Sequence, residues 1–137
     1  MTYCVGIKLK AGLVLLSDTR TNAGIDNIAR YRKTFIFEDP GRRVLALLTA
    51  GNLGITQGVV TRVSAGVKRS DADPGAESIM TCESLYRAAD IVGEAMREAQ
   101  KRDRQAIESQ GSAADATLLL AGQQEDGELR LRQISDC

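Results

Sequence analysis

The 137-residue sequence contains no histidine. That absence removes every triad or dyad using imidazole as base, every zinc site built on histidine, and histidine-switched pH sensing. Acid–base chemistry must fall to Asp, Glu, Lys, Tyr, Cys or the chain's own amine. Cysteine is scarce as well: Cys4, Cys82 and Cys137 form an odd set without CxxC spacing, and no charged and apolar leader of the secretory kind precedes them. The expectation is a reducing, cytoplasmic setting. No uncharged apolar run approaches the roughly 20 residues that cross a bilayer. The longest, around Leu13–Leu16 and Leu118–Ala121, are strand-sized. Net charge is missing too, with 18 basic and 18 acidic residues, so no global field draws in nucleic acid or an anionic membrane. Asp71, Asp73 and Gly75 lack the third oxygen ligand and late Glu of a calcium loop and read as a turn. Neither a metal nor a cofactor is expected.

What the chain does have is 43% apolar residues, enough over this length to bury the core of one domain spanning residues 1–137. Residues 3–9 and 13–18 read as a hairpin turning at Lys10-Ala11-Gly12. Its second arm, Leu13-Val14-Leu15-Leu16, does not alternate, which predicts a strand buried on both faces and a layered fold. Thr19–Arg32 is polar and reads as a loop. Thr34–Phe37 and Val44–Leu48 form a second hairpin around Pro40-Gly41. From Gly51 onward, Ile55, Val59, Val63 and Val67 recur every four residues beside Val60, the mark of a helix with one buried face. A second amphipathic helix runs from Glu77 to about Gln110, with Leu85, Ala88, Ala89, Val92, Ala95, Met96 and Ala99 inward. Thr117–Ala121 and Leu129–Ile134 flank a tight turn at Glu125–Glu128. Strand pairs separated by two consecutive helices call for sheets stacked with helical layers.

The opening stretch carries the chemistry. Once Met1 is clipped, Thr2 is a terminal residue holding a hydroxyl nucleophile and a free amine on one residue. A Thr after an initiator Met is ordinary in itself. Here it comes with a Gly-containing hairpin, an Asp at a strand end, a Lys before the next strand and a strand-Gly-helix turn, in that order.

In those features the chain resembles the N-terminal nucleophile hydrolases of the proteasome β-subunit type. TYCVGIKLKAGLVLLSDTR is similar to the family's opening hairpin, RKTFIF to its Lys and following strand, and LLTAGNLGITQ to its strand-to-helix turn. SDTRTNAGID and TAGNLGITQ bring it nearest to the bacterial ancestral β-subunit group, Anbu; the HslV-type peptidase shares the plan with different loops. The resemblance runs from Thr2 to about Arg132, in residues as far as Gln57 and in topology beyond.

It implies an α/β (α+β) fold, the four-layer αββα sandwich. It also implies a threonine peptidase that cuts peptides or unfolded proteins inside a homo-oligomeric ring or spiral, with an ATPase partner left open. By resemblance Thr2 is the nucleophile, Asp18 the carboxylate, Lys33 the ammonium beside it and Gly51 the oxyanion donor. Thr21 and Asn22 resemble the loop that pairs with an extended peptide, and Thr49 and Leu53 the lining of the first specificity pocket. Physical chemistry supports these roles. With no histidine, the nearest base for the Thr2 hydroxyl is its own amine, whose reference pKa is about 7.7–8.0. Lys33 close by would lower the hydroxyl and amine values, and Asp18 would keep Lys33 charged and oriented. Family members are longer, and their additional part holds a Ser and an Asp that serve the Thr amine, and strands that pair with the opening hairpin. The sequence therefore reads as a C-terminally truncated domain. Its alternative is a catalytically inactive β-subunit-like assembly or interaction protein.

Overall fold

The computed structural model describes residues 2–22 and 28–135. Four antiparallel strands make the central sheet: β5 (Thr34–Asp39), β6 (Arg43–Gly51), β7 (Ala116–Gln124) and β8 (Leu129–Ser135), in that spatial order. Pro40-Gly41-Arg42 turns β5 into β6, with Gly41 at φ +79° and the Arg42 N–H donating to the Asp39 carbonyl at 3.0 Å. The register sets Leu47 opposite Leu120 and Leu45 opposite Gly122. Side chains alternate across a sheet, so Leu45, Leu47, Leu118 and Leu120 share one face. All four are buried against the helices.

Those helices are α1 (Leu53–Ala72) and α2 (Leu85–Ser109). Each begins where a side chain satisfies an orphan N–H: Asn52 accepts from Ile55 N at 3.2 Å and Ser84 from Arg87 N at 3.1 Å. Ile55, Val59 and Val63 of α1 and Leu85, Ala88, Val92, Ala95, Met96 and Ala99 of α2 fill the core, as the periodicity predicts. Neither helix is long and apolar enough to cross a membrane.

On the sheet's other face lies a separate hairpin, β1 (Cys4–Leu9) and β2 (Gly12–Ser17). At Gly6 it runs so close to β8 that an added Cβ would stand 2.8 Å from Leu131 Cδ1. Leu48, opposite in parity to Leu47, is fully buried on that side. The described residues thus form an α+β fold of helical pair, sheet and hairpin. They supply three of the four expected layers; no second helical layer occurs among them.

Several expectations change. Gly12 is the first residue of β2, paired with Leu9, and the turn is Lys10-Ala11 alone. The β1–β2 hairpin is not buried on both faces: Ile7, Leu9, Val14 and Leu16 are 46–60% exposed. The hairpin's backbone ladder is confined to its own two strands, and these four side chains face outward from the fold. Within the expected loop 19–32, β3 (Arg20–Asn22) pairs with β4 (Ile28–Arg30), and the Tyr31 N–H closes on the Thr19 carbonyl at 2.8 Å. Residues 77–84 are a turn rather than helix, with Ser78, Ile79, Met80 and Cys82 buried. The Ser78 N–H donates to the Thr81 hydroxyl at 2.9 Å and the Met80 N–H to the Ser78 hydroxyl at 3.2 Å, side-chain bonds that compete with helical ones.

Candidate active site

The site forms where the β1–β2 hairpin, the β3–β4 pair and the central sheet meet. Asp18 follows β2 directly and Lys33 directly precedes β5. The Asp18 N–H donates to the Tyr3 carbonyl and the Tyr3 N–H returns to Asp18 Oδ1, both at 3.1 Å, so the carboxylate is clamped beside Thr2. Lys33 is fixed from the opposite side, its carbonyl accepting from Thr49 N at 2.9 Å.

Lys33 is only 5% exposed, and its ammonium donates in three directions: to Thr2 Oγ1 at 3.1 Å, to Asp18 Oδ1 at 3.0 Å and to the Arg20 carbonyl at 2.7 Å. Three protons meet three acceptors, so this buried charge is paired and its hydrogen bonds are complete. The same bond from Lys33, and secondly the Tyr3 N–H, hold the Asp18 carboxyl below its ordinary range. The third acceptor was not foreseen. A backbone carbonyl leaves no signature in a residue's identity; only the position of Arg20 at the start of β3 aims it at Lys33.

A cavity of about 290 Å³ opens beside this cluster, lined by Thr2, Arg20, Thr21, Lys33, Thr49, Ala50, Gly51, Leu53 and Thr56. Thr2, Lys33, Gly51, Thr21, Thr49 and Leu53, singled out in the sequence, thus surround one space, with Asp18 reaching it through Lys33. Arg20, Ala50 and Thr56 join them. Asn22 ends β3 two residues beyond Arg20, and its side chain lies outside the described part of the structure.

Gly51 does not open α1 as expected; it closes β6, and Asn52 caps the helix. Glycine is required here for a reason other than room for substrate. Its φ is +102°, and a Cβ would strike the Asp115 carbonyl oxygen of the facing strand entry. The Asn52 N–H donates to that carbonyl at 2.8 Å, and the Asn52 side-chain amide to the Ala113 carbonyl at 3.0 Å, so the strand-to-helix corner is tied down from one side.

Cys4 lies under the cluster, its Sγ 3.5 Å from the Thr49 carbonyl. Burial, and then the Asp18 charge, push its thiol above the ordinary value, with Lys33 opposing. That favours the inert thiol over a competing nucleophile. Among the described residues no cluster of three Cys, Asp or Glu is placed to hold a metal ion.

No protein-family model and no curated protein matches the chain. Solved structures do. Anbu (ancestral beta-subunit) from Yersinia bercovieri is 37% identical with a TM-score of 0.80, covering 100% of this chain and 56% of its own. Anbu from Hyphomicrobium sp. strain MC1 is 35% identical with a TM-score of 0.79, covering 100% and 57%. The Anbu complex from Pseudomonas aeruginosa, solved as a helical assembly, is 33% identical with a TM-score of 0.84, covering 100% and 57%. The chain is similar to Anbu proteins from end to end and spans a little over half the length of these structures.

Proposed function

We propose that this Anbu-like chain carries the nucleophile-bearing part of a threonine-type peptidase. One observation supports the reading above the others: the Lys33 ammonium sits 3.1 Å from the Thr2 hydroxyl oxygen while Asp18 and the Arg20 carbonyl hold it in place. A cation donating to that oxygen stabilises the alkoxide relative to the alcohol, which is what an aliphatic hydroxyl needs to act as a nucleophile near neutral pH.

Removal of Met1 is the precondition, since it frees the Thr2 amine. That amine, with a reference pKa of about 7.7–8.0, takes the hydroxyl proton as Oγ1 attacks the substrate carbonyl. The resulting tetrahedral oxyanion lies toward Gly51, at the mouth of α1, where the helix terminus favours negative charge. As it collapses, the C–N bond breaks and the departing amine takes the proton from the Thr2 ammonium, leaving an ester on Oγ1; water then hydrolyses that ester and frees Thr2. The substrate is a peptide or unfolded protein in the cytoplasm, extended along Thr21 and Asn22, with one side chain placed between Thr49 and Leu53. The Pseudomonas aeruginosa relative forms a helical assembly, and self-association of the same kind encloses the site here.

Cleavage of a fluorogenic peptide by protein freed of Met1 tests this. Thr2→Ala abolishes turnover, and Lys33→Ala lowers it by roughly 10²–10⁴-fold. Unchanged cleavage by Thr2→Ala excludes the assignment. A second reading, a non-catalytic assembly piece, is favoured by the exposed Ile7, Leu9, Val14 and Leu16 face of the β1–β2 hairpin. Failure of any peptide or electrophile to engage Thr2, in protein that self-associates, selects it.

A further inference from the structure

The Asp18–Lys33 pair of the candidate site straddles two sheets that share no backbone ladder. Each half is tied internally: Asp18 to Tyr3 by two hydrogen bonds, and Lys33 to β6 through Thr49 N. What sets the distance between the halves is a different matter. The residues adjoining the ion pair, Ser17 before Asp18 and Thr34 after Lys33, meet hydroxyl to hydroxyl at 2.6 Å across the same gap.

We propose that the Ser17–Thr34 hydrogen bond is a positioning device for the site, holding the end of β2 against the start of β5 where Lys33 reaches Asp18 and Thr2 together. The inference rests on the reading of Lys33 as the group that tunes Thr2. Two hydroxyls joined by a hydrogen bond approach about 1 Å closer than unbonded atoms, which settle at about 3.5–4.0 Å. Lys33 has no slack to absorb that difference. Its three donors are all in use at 2.7–3.1 Å, and its own backbone is anchored to β6. A separation larger by about 1 Å takes the bonds to Thr2 and Asp18 beyond hydrogen-bond range. The other nearby tie, from the Cys4 thiol to the Thr49 carbonyl, is long and weak at 3.5 Å.

Three variants of the full chain test the proposal. Thr34→Val replaces the hydroxyl with a methyl group of similar size, which cannot stay 2.6 Å from the Ser17 oxygen. Ser17→Ala removes the partner without adding bulk, and Thr34→Ser keeps the hydroxyl. Two properties are followed: the titration of the Asp18 carboxyl by carbon NMR, and the rate at which a β-lactone labels Thr2 after Met1 removal. Thr34→Val and Ser17→Ala are expected to move the Asp18 titration toward the ordinary carboxylate range and to slow labelling by roughly tenfold. Thr34→Ser should retain both properties. A merely structural role would lower the urea midpoint of the two variants and leave the Asp18 titration where it is, and that result overturns the proposal. If Thr2 is labelled in no variant, parent included, the peptidase reading fails, while the carboxyl titration still decides whether Ser17 and Thr34 position the ion pair.

Discussion

The Asp18 carboxylate and the Lys33 ammonium meet at 3.0 Å across the boundary between two sheets, with Lys33 buried and Asp18 about one-third exposed. Their pairing joins the hairpin that follows Thr2 to the sheet that carries Thr49, Ala50 and Gly51 of the cavity. Acid should therefore loosen this joint before it unfolds the core.

The sign follows from Asp18. Its folded carboxyl lies below the unfolded value of about 3.9, so the interaction is fully present above that value and is lost as pH falls through the folded pKa. The Tyr3 amide resonance, which reports the bond to Asp18, should show an acidic transition below about pH 4. In Asp18→Asn it should be displaced already at neutral pH and lack the acidic transition. An acidic transition that persists unchanged in Asp18→Asn would contradict the assignment.

Gly51 and Gly66 should respond oppositely to alanine. Gly51→Ala forces a side chain into φ +102° and against the Asp115 carbonyl, a loss of about 2 kcal/mol or more in urea denaturation. Gly66 lies within α1, where an added Cβ meets nothing within 4 Å. Gly66→Ala should be stabilising by about 0.5–1 kcal/mol.

Arg43 staples the turn over residues 77–84 to the sheet through its buried Ile79 and Cys82. Its guanidinium donates to the Ile79 carbonyl at 2.8 Å and the Cys82 carbonyl at 2.7 Å, all within the buried region. Arg43→Met strands both acceptors and should lower stability by about 2–4 kcal/mol. A loss under about 0.5 kcal/mol, measured by urea denaturation, would show that water replaces the guanidinium.

Apart from β3 and β4, the order of elements was legible, and so were the inward faces of both helices, because they rest on periodicity: Val59 and Val63, or Ala88, Val92 and Ala99, repeat on one side whatever the loops do. Thr2, Asp18, Lys33, Thr49 and Gly51 were singled out by the family resemblance, and their roles stand as the proposal above; Asp18, Lys33 and Gly51 do lie at or beside strand ends, where punctuation is strongest. Other features depend on partners distant in sequence. Thr21 pairs with Ala29 through backbone groups that any residue possesses. Ser78 and Thr81 turn their hydroxyls onto the main chain, overriding a pattern that looked helical as far back as Glu77. The apolar run Leu13–Leu16 records only that β2 has apolar side chains on both faces, not what stands against each. Ser17 and Thr34 meet only after both sheets are stacked.

Cys4 provides a control on reactivity. With its thiol pushed above the ordinary value by burial, its alkylation by iodoacetamide at pH 8 should be slower than that of a free cysteine. Peptide mapping after timed quenching measures the rate. A Cys4 that reacts faster than free cysteine would mark it as the activated nucleophile in place of Thr2.

The central claim is that Lys33 activates the Thr2 hydroxyl, and the most direct test is covalent. Protein with Met1 removed is treated with a β-lactone, and the adduct is located and timed by mass spectrometry in the parent and in Lys33→Ala. The account predicts a single ester on Thr2 in the parent, forming at least about 10²-fold more slowly in Lys33→Ala. An adduct elsewhere, or equal rates on Thr2 in both proteins, would contradict it.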